Sequence, residues 1–167
     1  MSTYISNIKS SIGAIRGDNY HKCLDLLMFL KDKYPNAPGS SHNHQAFKGG
    51  YYKHISSVLD YANELYHLMQ MKNENLNFSM SDVTLVLFLH DIEKPIKYSE
   101  DFQGENDDTI RQKLIKQFDI TLTKEQELSI KYIHGEGNDY KKDQRIMSPL
   151  CAFCHCCDVI SSRIFYD

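Results

Sequence analysis

No apolar stretch in this 167-residue chain approaches the ~18 residues that span a bilayer, so no membrane-crossing helix is expected. The first residues, Met1 to Ile8, lack the charged-then-apolar layout of a secretory signal, and a cytoplasmic location is the expectation. Tryptophan is absent, and strand signals are thin, with few alternating runs and few hairpin dipeptides. Neither an internal repeat nor a low-complexity linker is present. Positive charge is not in excess: 19 Lys and Arg against 22 Asp and Glu leave a net charge of -3, which gives no global attraction for polyanions and little support for a duplex-binding role. The five cysteines are an odd number, and four of them, Cys151, Cys154, Cys156 and Cys157, crowd together, which makes a poor disulfide framework.

What is present suffices for one ordinary core. Hydrophobic residues make up 41% of the chain, and its length suits a single domain over 1–167. Tyr4, Ile5, Ile8, Ile12 and Ile15 form a helical stripe, broken at Gly17-Asp18-Asn19. Asp18 or Asn19 can cap a second helix that runs to about Lys33 and stops before Pro35. After a turn-rich loop, Gly49-Gly50 opens a long helix from about Tyr51 to Lys72, with His54 on its inward side. Ser79 or Ser81 can cap the next helix, whose Val83 to Leu89 stretch is apolar almost all round and therefore central. Residues 99–109 read as an acidic surface loop, followed by helices from about Ile110 to Phe118, from Thr123 to about His134, and from about Pro149 to Phe165. The fold expected is all-α.

The apolar helix ends in Leu89-His90-Asp91, with Pro95 close behind. A buried run should not end in two ionisable residues unless something repays their burial. A metal ion does so, and imidazole and carboxylate suit Zn²⁺, Mn²⁺, Fe²⁺, Co²⁺ or Ni²⁺, while pure Mg²⁺ suits such a histidine-rich set less well. Four further candidates lie on separate helices: His54, His134, His155 and Asp158. Singly, each has a plain structural reading. His54 can be a satisfied core residue, His134 beside Gly135 a helix cap, and His155 with Asp158 a hydrogen-bonded pair on one helix face. The adjacent His90-Asp91 pair is hard to explain that way. Side chains converging on a bundle interior are how helical proteins build metal sites.

The segments Phe47-Lys-Gly-Gly-Tyr-Tyr-Lys-His54, Leu89-His-Asp-Ile-Glu-Lys-Pro95, Ile133-His-Gly135 and His155-Cys-Cys-Asp158-Val-Ile-Ser-Ser162 together resemble an HD-domain phosphohydrolase. The order H…HD…H…H…D is similar to the two-metal form of that family, and the stretch from His44 to His54 is similar to HD domains of bacterial 3′–5′ exoribonucleases. The resemblance implies a compact helical HD-domain bundle with its core over 42–163 and the helices of 1–40 packed on it. It implies that His54, His90, Asp91 and Asp158 bind one ion, and that Asp91 bridges to a second held by His134 and His155. Asp91 and Lys94 become the catalytic residues. The ions share a hydroxide that attacks phosphorus, and Lys94 neutralises phosphate charge. Glu93 departs from the pattern, since many relatives have glycine there. The loop after His134 lacks the motif of the cyclic dinucleotide phosphodiesterase branch.

Other signals carry less. Cys151-x-x-Cys154 beside His155 is an incomplete zinc set, and these thiols read as small core residues. His44 and Arg163 are substrate-contact candidates, as are His42 and the basic Lys141-Lys142 and Arg145 cluster, though a solvated loop accounts for these as well. Tyr51 and Tyr52 are possible base-stacking groups or core residues. The expected activity is metal-dependent hydrolysis of a phosphoester or phosphoanhydride in a nucleotide or similar small phosphorylated molecule, with two divalent transition-metal ions. The alternatives are nucleic-acid end processing, under which alone nucleic acid is a partner, and a non-catalytic metal-bound regulatory module.

Overall fold

Ile5, Ile8 and Ile12 line the buried face of the first helix, α1 (Ser2–Ile12). The computed structural model describes residues 2–42, 45–72 and 75–164, and these are helical, with no β-strand among them. The isoleucine stripe predicts a helix as far as Ile15. The chain instead turns at Gly13, yet Ile15 is still buried. α2 spans Asn19–Lys33 and α3 spans Gly50–Met71. Gly49 caps α3 with a left-handed φ of 80°. At Gly50 a Cβ would stand 1.9 Å from the carbonyl oxygen of Gln45, so the close approach that only glycine allows is to the preceding loop.

The most buried helix is α4 (Met80–Leu89), in which every residue from Val83 to Leu89 is buried. It packs against α1, α3, α7 and α8. It delivers His90 and Asp91 at its end. Pro95, which the sequence marks as a stop, stands in the first turn of a short new helix, α5 (Lys94–Lys97), where its missing N–H costs nothing. The acidic loop is shorter than its composition suggests. Asn106 accepts a hydrogen bond from the Thr109 N–H, and Asp107 and Asp108 form the first turn of α6 (Asp107–Gln117), where the helix dipole favours acids.

α7 (Lys124–Tyr132) opens with a capping box in which Gln126 answers Thr123. α4 opens with the same device, Ser79 answered by Asp82. The two boxes are joined, because Gln126 Nε2 donates to Asp82 Oδ1 at 2.8 Å. His90 follows Asp82 by eight residues and His134 follows Gln126 by eight. Two helices latched at their starts therefore rise about 12 Å side by side, and they bring the two imidazoles within 5.6 Å, centroid to centroid. α8 (Pro149–Val159) begins at a Ser148 cap and gives way, after Asp158, to a π-helical turn over Ile160–Ile164. Such turns often accompany functional sites.

Asp82 thus serves two helix starts. Burial raises its pKa, but bonds from Ser79 and Gln126 outweigh that and hold it below the ordinary 3.8. Asp82→Ala should cost about 1–2 kcal/mol in urea denaturation. Because the folded-state pKa is depressed, the Asp82 contribution is present above the ordinary carboxylate pKa and fades as pH falls through the folded one.

Candidate metal centre

His54 comes from the middle of α3, His90 and Asp91 from the end of α4, and Asp158 from the end of α8. All four are buried. His54, His90 and Asp158 form a group with one ligand atom each, all within 4.8 Å of one another. His54 Nε2 lies 3.4 Å from His90 Nε2 and 3.3 Å from Asp158 Oδ1. His90 Nε2 lies 3.7 Å from the same oxygen. Asp91 Oδ2 belongs to the same knot, 3.4 Å from His54 Nε2 and 3.2 Å from His90 Nε2. Four donors held tetrahedrally at bonds of ~2.1 Å stand about 3.4 Å apart. The spacing suits one ion.

The far nitrogens are fixed as metal-site imidazoles require. His90 Nδ1 donates to the Leu87 carbonyl at 2.6 Å, and His54 Nδ1 lies 3.1 Å from Ser161 Oγ in the π-helical turn. Each ring is thereby oriented with Nε2 towards the centre. The Asp91 carboxylate is ringed by nitrogens, with Lys94 Nζ 2.5 Å and the His54 and His90 Nε2 atoms 3.4 and 3.2 Å from Oδ2. A buried carboxylate compensated only by cationic groups fits a cation-binding role.

His134 sits differently. Its Nε2 is 3.3 Å from Asp91 Oδ1 and its Nδ1 3.1 Å from Asp158 Oδ2. Each carboxylate therefore turns one oxygen to the His54–His90 pair and the other to His134. The His134 side chain is 50% exposed, whereas those of His54, His90 and Asp91 are 0%, so the centre opens on this side. His155 is half-buried, and its Nδ1 donates to the Ile133 carbonyl at 2.5 Å. It is tied to the peptide preceding His134 but lies outside the ion-holding group.

The electrostatics follow from burial and pairing. Burial opposes charge on His90, but Asp91 and Asp158 prevail and raise its pKa to about 10. His134 is raised to about 9 by the same two carboxylates against the same penalty. Burial pushes Asp91 and Asp158 up, yet the surrounding cations hold both well below the usual carboxylate range. Lys94, likewise penalised by burial, is raised by Asp91. Protons on the rings balance the carboxylates in one way; a divalent ion is the other, and it displaces them.

Glu93, which the sequence leaves either touching the site or facing solvent, does neither. It is buried and receives Arg111 of α6 at 3.2 Å from Nε and 3.1 Å from Nη2. Burial first and Asp91 second raise its pKa to about 7, against the pull of Arg111. The pair anchors α6 beside the centre. No local pattern pointed to Arg111. Ser161 had a signal, since it lies three residues beyond Asp158 on the same face.

The remaining candidates scatter. Arg163 and His42 are exposed, and Lys141, Lys142 and Arg145 lie in an exposed loop. His44 falls outside the described residues. Tyr51 and Tyr52 are buried, so neither ring is placed to stack on a base. Cys151, Cys154 and Cys157 are buried in or beside the core, while Cys156 is exposed. No family model, curated protein or solved structure matches this chain.

Two outcomes are expected. Zn²⁺ or Mn²⁺ at a hundred times its Kd should raise the unfolding free energy by about 2.7 kcal/mol, and Asp158→Ala should abolish that gain. Glu93→Ala removes the buried partner of the Arg111 guanidinium, which keeps only the exposed Asp108, and should cost about 2–3 kcal/mol in chemical denaturation, with or without ions.

Proposed function

We propose that the chain is a metal-dependent phosphohydrolase of the HD-domain kind, acting on a nucleotide or similar small phosphorylated molecule. The observation that carries this reading is the pair of bridging carboxylates, Asp91 and Asp158, each facing the His54–His90 pair with one oxygen and His134 with the other. His54, His90, Asp91 and Asp158 would hold one ion. His134 with the outer carboxylate oxygens would hold the second, and His155 is its further candidate ligand. The imidazole-rich set favours Mn²⁺, Fe²⁺, Co²⁺, Ni²⁺ or Zn²⁺. Bound there, such ions supply Lewis acidity at a phosphoryl oxygen and lower the pKa of water.

The residues around the centre fit the rest of the task. Lys94 keeps its positive charge in the interior and stands at the Asp91 carboxylate, where it offsets phosphate charge. His134 lines a cavity of about 710 Å³ with Arg111, Lys131 and Gln112, a volume suited to a small ligand. Substrate would enter from this side, since the other ligands are closed off. Arg111 and Lys131 are each paired, with Glu93 and Asp108 and with Asp139, so the wall carries little net positive charge. That balance favours a small substrate over a nucleic-acid strand, which needs a basic groove.

Metal content of the purified protein, measured beside a turnover screen of nucleotides, cyclic nucleotides and a short RNA with added Mn²⁺, tests the reading. About two ions per chain are expected. Asp91→Ala should lower the ion content and cut turnover by on the order of 10³-fold or more. An ion-free wild type with no turnover of any substrate would sink the proposal, and ion binding without turnover would favour the regulatory module.

A further inference from the structure

The polar ties from α6 to other segments lead away from α7. Arg111 reaches back to Glu93, Asp107 to Lys97 of α5, and Lys113 to Glu105. Among the described residues no hydrogen bond or ion pair joins α6 to α7. Between the two helices lies a cavity of about 690 Å³. Its α6 wall includes Arg111, Gln112 and Ile115, at the spacing of one helix face. Its α7 wall includes Lys124, Glu127 and Lys131, and the same spacing continues to His134. The groove therefore runs back from His134 along one face of α7. Glu127, seven residues before His134, stands about 10 Å from it along the helix. The groove shares Arg111, Gln112, Ile130 and Lys131 with the His134 cavity and so adjoins it.

The lining selects what can lie there. Ile115, Ile120, Leu122, Leu128 and Ile130 give the groove apolar walls, and Leu128 is left 41% exposed. Ligand sites are commonly built this way, with mostly apolar walls and a few polar groups that fix orientation. Gln112 supplies a carboxamide, which both donates and accepts. Lys116, Lys124 and Glu127 also line the groove, and among the described residues none of them is ion-paired. A flat group with polar edges satisfies both parts of this lining. Its faces pack on the aliphatic side chains and its edges bond the carboxamide and the charged groups. An alkyl chain would cover those polar groups without bonding them, which costs free energy.

We infer that the groove between α6 and α7 is a base-binding subsite, receiving the nucleobase of a nucleotide whose phosphate lies at His134. This rests on the phosphohydrolase reading above and narrows its substrate class to nucleotides.

The test is equilibrium binding to the Mn²⁺-loaded protein. The probes are inorganic phosphate, ribose 5-phosphate, octyl phosphate and the common ribonucleoside 5′-monophosphates. In the wild type at least one nucleotide should bind about 10-fold or more tighter than ribose 5-phosphate. Leu128→Asp puts a charge into the groove, and Ile115→Phe fills it with apolar bulk. Each should erase the preference and leave the affinity for inorganic phosphate and ribose 5-phosphate unchanged. Thermal unfolding checks that the variants fold, and if only one does, that one decides. Nucleotides that bind no tighter than ribose 5-phosphate, a preference that survives in the folded variants, or tightest binding of octyl phosphate would overturn this inference alone. A wild type that binds none of the probes, inorganic phosphate included, overturns it together with the phosphohydrolase reading.

Discussion

Two carboxylates in the interior are the constraint around which this bundle is organised. An uncompensated buried charge costs several kcal/mol, and Asp91 and Asp158 both stay ionised inside the protein. The compensating groups come from four different helices: His54, His90, Lys94 and His134. The bundle therefore cannot be considered apart from its centre. Shifting any one of these helices along its axis would strand a charge.

The register that prevents such a shift is set far from the centre. The Ser79–Asp82 and Thr123–Gln126 boxes satisfy the free N–H groups of two helix starts, and the bond between Gln126 and Asp82 ties those starts together. Equal spacing from latch to imidazole then places His90 opposite His134. On the other side, the π-helical turn after Asp158 brings Ser161 against His54, so the segment that supplies a carboxylate also orients an imidazole. Arg111, reaching from α6 to Glu93, ties that helix beside the centre. These contacts are individually modest, and together they hold the ligand atoms at separations one ion can span.

Openness is distributed with equal economy. His54, His90 and Asp91 are sealed, and His134 alone among the clustered imidazoles reaches the surface, where a cavity with Arg111 and Lys131 begins. The buried members of the cluster are screened from solvent, and His134 is its exposed member.

Much of this was legible in the chain. Helical periodicity located the long α3, the apolar run identified α4 as central, and the ionisable pair ending that run marked the centre, because burial of His90-Asp91 has no cheap local explanation. Capping residues announced two helix starts, at Thr123 and at Ser79 or Ser81, of which Ser79 is the cap. Other features were beyond a local reading. Pro95 was legible as an ending but not as the first turn of α5, since both uses exploit the same missing N–H. The role of Glu93 depended on Arg111, eighteen residues away. Residue type and spacing determine which side chains can ligate and on which helix face they sit, because those follow from the 3.6-residue turn. Only the packing of α3, α4, α7 and α8 decided that His134 faces both carboxylates, that His155 turns to a backbone carbonyl, and which side is open. Those are distances between helices, and no periodicity within one helix encodes them.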